Sequence, residues 1–167
     1  MGKLVGDILK LAYGRALPKR DRADGAVPVY GSGGLIGWHN KALIEQSTVI
    51  VGRKGTVGSV FFASQPSYPI DTTYWVIPSK LDPELIYWTL SSLPLADLDS
   101  HAAVPGISRE SIYDQPLPDH WPPPPELIAM LSLIRERVTI THNTADTLND
   151  IAQSLYQDWQ KEDNHDK

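Results

Sequence analysis

Residues 126–161 read ELIAMLSLIRERVTITHNTADTLNDIAQSLYQDWQK, with no glycine or proline among them. Leu127, Leu131, Ile134, Val138, Thr141, Ala145, Leu148, Ala152, Leu155 and Trp159 follow one another in steps of four and three. Seven of these ten positions are large and apolar. This is the a/d spacing of a coiled-coil seam, in which one edge of the helix returns to the same side every seven residues. At 1.5 Å per residue the stretch predicts a helix roughly 50 Å long. A lone helix cannot cover its own apolar edge. Either it folds back on the domain before it, or a second copy covers it. Thr141 and Ala145 are short enough at mid-seam to let two helix backbones approach, which favours an antiparallel partner. A two-fold dimer is also the commonest homo-oligomer. The ten seam residues are therefore the predicted dimer interface.

Working outward, Pro122-Pro123-Pro124-Pro125 is a stiff polyproline link that ends whatever precedes it. The 167 residues thus divide into a domain at 1–121 and a link plus long helix at 122–167, the helix running over about 126–161. A domain of about 120 residues can bury a sufficient core without staples. Its first apolar segment, Leu4 to Leu11, fits a short helix or a strand. Residues 14–26 read as an exposed loop. Val27 to Tyr30 is extended, and Gly31-Ser32-Gly33-Gly34 forces a tight turn. Thr48 to Val51 is rich in β-branched residues and predicts a buried strand. Gly52-Arg53-Lys54-Gly55 then turns the chain into a second strand over Thr56 to Phe62, and Thr72 to Ile77 predicts a third. Leu81 to Leu93 reads as a helix, capped by Asp82 with Pro83 in its first turn. The expected fold class is α+β: a globular domain with an irregular twisted sheet, followed by a long C-terminal coiled-coil helix.

Composition narrows the classes of function. Hydrophobic residues make up 41%, ordinary for a folded globular chain. There is no cysteine, which excludes disulfides and thiolate metal sites. No apolar run approaches the roughly 20 residues of a membrane helix. No apolar stretch at the N-terminus resembles a signal peptide, and Gly6 stands where a myristoylation signal expects Ser or Thr. A cytoplasmic protein with no membrane partner is expected. The net charge of −5 is unevenly spread. Residues 1–60 hold nine Lys or Arg and four Asp or Glu, hence +5, and the remainder carries −10. A basic third of this kind suits a polyanion, although solvated surface charge explains it equally well.

The sequence offers little for catalysis. Gly31, Gly33 and Gly37 miss the dinucleotide fingerprint spacing, and no phosphate-binding G-x-x-x-x-G-K-[ST] loop occurs. The five histidines, 39, 101, 120, 142 and 165, show no metal-ligand spacing. No nucleophile elbow, paired nuclease carboxylates or amino-methyltransferase signature can be picked out. No catalytic residue and no metal site are expected.

Three clusters remain. Arg15, Lys19, Arg20 and Arg22 form a basic loop. Tyr30 to Asn40 mixes mobile glycine backbone with aromatic rings and short polar side chains. Gly52-Arg53-Lys54-Gly55-Thr56-Val57-Gly58 puts two cations and a hydroxyl on a turn that a phosphate could approach. Lys and Arg would neutralise phosphates, and Arg, Asn and Ser could read base edges. Each cluster has a plainer explanation. Trp38 reads more readily as core than as a stacking platform. The glycines around Arg53 suit a hairpin whatever the ligand, and Arg53 could pair with an internal carboxylate.

Several stretches together resemble a known family. These are Val27 to Gly37, Val49 to Gly58, and Val104-Pro105-Gly106-Ile107-Ser108-Arg109-Glu110-Ser111-Ile112, followed by the proline link and long helix. Leu4 to Ile8 and Tyr13-Gly14-Arg15 fit the same pattern. Their order is similar to that in the DNA specificity subunit of type I restriction-modification systems. Full subunits of that family carry two target-recognition domains, each followed by a helix. The two helices run antiparallel and set the distance between the halves of a split DNA site. This chain has one domain and one helix. The resemblance therefore implies a half-subunit that reads one half of the site on double-stranded DNA and pairs with a second copy. It also implies a non-catalytic chain docked to modification methyltransferase subunits, with a place for a restriction subunit. S-adenosylmethionine, Mg and ATP would sit on those partners, and this chain would hold no cofactor. It does not assign base contacts. The expected DNA-facing set is Arg15, Lys19, Arg20, Arg22, Tyr30, Ser32, Trp38, His39, Asn40, Arg53, Lys54, Thr56, Ser108 and Arg109, with an Arg109 ion pair to Glu110 or Asp114 as the plainer alternative. Two other functions stay open on the residues alone: a coiled-coil scaffold or antitoxin-like module that binds protein and not DNA, and a stand-alone metal-dependent nuclease.

Overall fold

The structure, a computed structural model, describes residues 2–98 and 106–165, leaving out the side chains of Asn143 and of residues 156–165. Val104 and Pro105 of the third motif and the side chain of Trp159 in the seam lie outside the described residues. The chain forms two compact units, Met1–Pro122 and Pro123–Lys167.

In the first unit the β-branched run becomes β4 (Thr48–Gly52), buried at every position. It is flanked on both sides by antiparallel strands, β5 (Val60–Ala63) and β7 (Thr73–Val76), and β7 also pairs with β1 (Leu11–Tyr13). Alternation along β4 sends Val49 and Val51 into the main core with Leu11, Tyr74, Val76, Ile86 and Leu90. Ile50, equally buried, faces the other way. Cover on both faces explains an apolar run where a half-exposed strand would alternate. Helix α2 (Pro83–Ser91) packs on β4 and β5. Its N-terminus forms as the sequence requires: Asp82 accepts from the Glu84 N–H at 2.9 Å, and Pro83 fills the first turn.

A second sheet has the order β3-β2-β6, formed by β2 (Val27–Gly31), β3 (Gly34–His39) and β6 (Tyr68–Pro69). β2 and β3 make a hairpin closed at Ser32-Gly33, while β6 lies parallel to β2. The register slips between Val29 and Tyr30, which leaves Ile36 unpaired as a bulge. Gly37 beside it takes φ +141°, which a Cβ would resist.

The architecture is α+β, with two small sheets where a single irregular one was expected. The Leu4–Leu11 segment holds both alternatives in turn: helix α1 (Val5–Ile8), then β1. Residues 34–39, read from their glycines as mobile backbone, form a bulged strand. β5 begins at Val60 and not at Thr56, because Gly55 at φ +82° and Gly58 at φ +75° wind the chain through another turn first. A short helix, α3 (Arg109–Tyr113), follows Ser108, whose hydroxyl accepts from the Ser111 N–H at 2.9 Å.

The second unit is one helix, α4 (Pro125–His165), of 41 residues. At 1.5 Å per residue it is about 60 Å long.

Candidate DNA interface

The Gly52–Gly58 loop lies between three other segments. Thr72 O accepts from the Arg53 N–H at 2.9 Å and from the Lys54 N–H at 3.2 Å. Arg53 O accepts from the Ile107 N–H at 3.1 Å, and Lys54 bridges to Gly106. The hairpin tip joins through side chains: Ser59 Oγ donates to Ser32 O, and the Ser32 N–H donates weakly to Thr72 Oγ1 at 3.4 Å. Glycine at 52 is obligatory for this meeting. A Cβ there would lie 2.2 Å from Thr56 O and 3.0 Å from Ser32 O. The fold therefore gathers Ser32, Arg53, Lys54, Thr56, Ser108 and Arg109 from three separate stretches of sequence. Lys54, Thr56 and Ser108 are exposed, and the other three are half-buried.

The two arginines share a neighbour. The guanidinium carbon of Arg53 lies 5.1 Å from the centre of the Tyr13 ring, and that of Arg109 lies 4.7 Å from it. Arg53 is also 5.8 Å from the Tyr74 ring. Each arginine donates one terminal nitrogen to a main-chain oxygen: Arg53 Nη2 to Asp71 O at 2.8 Å, and Arg109 Nη1 to Leu11 O at 3.5 Å. Both Nε atoms are buried with no hydrogen-bond partner. Among the described residues, the ion pair found is Arg20 with Asp21, and neither Arg53 nor Arg109 reaches a carboxylate. The internal carboxylate partner considered for Arg53, and Glu110 or Asp114 for Arg109, are thus replaced by aromatic rings and carbonyls. Tyr74 donates to Ile107 O at 3.0 Å. Burial, reinforced by Tyr13 and opposed by the Arg53 charge, pushes its hydroxyl up to about 12.

The remaining residues of the expected set lie elsewhere. Trp38, His39 and Asn40 are at the far end of β3, about 16 Å from the hairpin tip at 3.3 Å per residue. Trp38 is 49% exposed on an edge strand, which corrects the expectation of a core residue. The bulge puts it on the same face as Leu35, 52% exposed. His39 is half-buried: its Nδ1 accepts from the Ala23 N–H at 3.1 Å, and its ring meets Tyr68 edge-on. In the basic loop, Arg15, Lys19 and Arg20 are exposed. Arg22 is not free in the same way, since its guanidinium donates to Ile36 O at 2.9 Å and to Leu17 O at 3.4 Å and latches the loop onto β3. Tyr30 packs near Phe61, and burial raises its hydroxyl above the usual tyrosine range.

Residues 3–112 match the family described as the type I restriction modification DNA specificity domain. The chain belongs to that family. As a specificity domain it is a recognition module and not a catalytic one. Its fold is similar to that of the S subunit of a type I restriction-modification system from M. genitalium, at a TM-score of 0.72 and 18% identity, over 83% of this chain and 40% of that one. It is also similar to a chain in a structure describing complex assembly and conformational transition of a type I R-M system, at a TM-score of 0.57 and 17% identity, over 84% of this chain and 39% of that one. At such identities the likeness concerns the fold. The specificity domain and its helix span about two fifths of the length of these chains. No curated protein sequence matches. Among the described residues, no helix is long and apolar enough to cross a membrane, and no group of three His, Cys, Asp or Glu is placed to hold a metal ion.

On the helix that follows the specificity domain, most seam residues are exposed, from Leu127 at 39% to Leu155 at 66%, and Leu131 is half-buried. Thr141, at mid-seam, donates its hydroxyl to Arg137 O at 2.9 Å, so it can be covered without stranding a donor. A second apolar set was missed: Met130, Leu133, Ile140 and Ile151 lie off the seam and are each more than half exposed. Tyr13 was missed as a site residue too. Its signals in the sequence are an aromatic ring next to Gly14 and a place in the Tyr13-Gly14-Arg15 stretch that fits the family pattern.

Proposed function

We propose that this specificity domain binds double-stranded DNA and reads one half of a bipartite target, and that α4 pairs with α4 of a second copy to hold two such domains a fixed distance apart. The observation that carries the reading is the gathering of Ser32, Arg53, Lys54, Thr56, Ser108 and Arg109 onto one set of interlocked loops, with two arginines that no described carboxylate neutralises. A cluster of that sign favours a polyanion, and family membership names the polyanion as DNA. The pairing is supported by the exposed apolar seam of a 41-residue helix.

The assembly follows from the same reading. The domain supplies recognition, modification methyltransferase subunits dock to it and supply catalysis, and a restriction subunit joins that complex. S-adenosylmethionine, Mg and ATP belong to those partners. Within the domain, the exposed cations Arg15, Lys19, Arg20 and Lys54 fit phosphate contacts, while Ser32, Trp38, Asn40 and Thr56 fit contact with bases.

The test is binding of fluorescently labelled duplex DNA, with and without modification subunits, at low and moderate salt. The free chain is expected to bind weakly and to lose affinity steeply with salt, and the modification subunits should confer preference for one sequence. A binding curve that does not change with salt would reject the reading.

A further inference from the structure

Tyr13 is 48% exposed, yet it is the residue on which two arginines from distant parts of the chain meet. We propose that Arg53 and Arg109, gathered on the Tyr13 ring, form a pre-arranged clamp for one DNA backbone phosphate, with Tyr13 as the residue that positions them. The proposal rests on the DNA-binding reading above and assigns this part of the site to the backbone, not to the bases.

Three observations carry it. First, the arginines are charged, half-buried and without a carboxylate among the described residues. A cation held against aromatic rings gains attraction from their faces, but its hydration is only partly replaced. The buried and unpartnered Nε atoms record that deficit. An anion that meets the remaining terminal nitrogens offsets the uncompensated charge, although the Nε atoms themselves lie out of its reach. Second, each guanidinium spends one terminal nitrogen on a carbonyl, at Asp71 O and Leu11 O, and keeps the other for a ligand. Two planar donors sharing one ring suit the several oxygens of a phosphate. Third, the frame is rigid before any ligand arrives. The Ile107 N–H bonds to Arg53 O, and the Tyr74 hydroxyl bonds to Ile107 O, so the loop bearing Arg53, strand β7 and the segment leading to Arg109 are tied together. Ordering costs are therefore met in folding and not in binding. The same ties decide between backbone and base. Side chains that donate to main-chain oxygens and lie within about 5 Å of one ring are held back from a groove, whereas a phosphate can come to them.

The experiment measures binding of the full chain to three unrelated labelled duplexes between about 50 and 200 mM salt. The variants are Arg53→Gln, Arg109→Gln, the pair together, Tyr13→Phe and Tyr13→Leu, each with its melting transition recorded. Each glutamine variant should weaken all three duplexes alike. The double variant should lower the slope of log affinity against log salt by about 0.9, the value for one phosphate, which removes about a 3.5-fold change in affinity across that salt range. Tyr13→Phe keeps the ring and should match the unsubstituted chain. Tyr13→Leu should behave as the arginine variants do. Folded glutamine variants with an unchanged slope would overturn the clamp, and so would a reordering of preference among the duplexes, which would mean base reading. If the glutamine variants do not fold, the leucine and phenylalanine variants decide: equal slopes reject the clamp. In either case the unsubstituted chain still binds DNA and the wider reading stands. If the unsubstituted chain binds none of the duplexes, both fall.

Discussion

Replacing Leu131 and Leu148 by aspartate should separate the proposed dimer into single chains, and the size of the effect can be worked from the exposure of the helix. Leu148 is 61% exposed, so pairing can hide up to that share of its surface. Full burial of a leucine is worth about 2 kcal/mol, which leaves about 1.2 kcal/mol to gain at this position in each chain. The two copies together give about 2.4 kcal/mol, or roughly a 50-fold change in dissociation constant. That is a floor. Aspartate also brings a charge that must shed water without a partner, and Leu131 adds a smaller loss because it is already half-buried. Sedimentation velocity over a concentration range wider than that factor is the assay. The unsubstituted chain should sediment as a dimer and the double variant as a monomer. Asp146→Lys, one residue beyond the seam position Ala145, is the control and should leave the mass unchanged. If the double variant sediments with the mass of the unsubstituted chain throughout, the seam does not hold the copies together.

Three further outcomes test the domain itself. Gly52→Ala sets a Cβ 2.2 Å from Thr56 O, so the loop must open and lose several main-chain hydrogen bonds at about 1 kcal/mol each. A fall of about 10 °C in the melting midpoint is expected by circular dichroism, and an unchanged midpoint would show that the loop has room for a Cβ. Asp82→Ala removes the cap of α2 and should cost about 1 kcal/mol, read as a lower urea midpoint with the same slope. The Tyr74 hydroxyl is raised from 10.0 to about 12, so its contribution to stability is complete below pH 10 and lost as pH climbs to about 12. Tyrosinate absorbance and chemical unfolding across that window should show the decline, and Tyr74→Phe should flatten it.

The elements that could be read in the sequence were those with a local physical cause. β4 is visible as a β-branched run, and α2 as an Asp-Pro start with apolar residues at helical spacing. The long helix is legible because nothing in it breaks a 4-3 repeat. What could not be read depends on distant partners. Residues 34–39 look like a loop because they hold two glycines, yet Gly34 and Gly37 are what allow a bulged strand beside β2. Trp38 looks like core because tryptophan usually is, but the bulge turns it outward on an edge strand. Arg53 and Arg109 were named as candidates, and their shared neighbour was not, since no spacing rule links Tyr13 to residues 40 and 96 positions away. The candidates up to Thr56 came from charge and composition, and Ser108 and Arg109 from the motif that carries the resemblance, while their convergence came from strand and loop pairing that no local pattern encodes.

Many of the bonds that fix the Gly52–Gly58 loop run from main chain to main chain, at Thr72 O, at the Ile107 N–H and across the Lys54–Gly106 bridge. Any residue type except proline can supply those atoms. The identities at 54 and 56 are thus free to change while the loop keeps its shape. A loop built this way separates what sets its shape from what it displays, so the side chains at these two positions can be exchanged without refolding the scaffold.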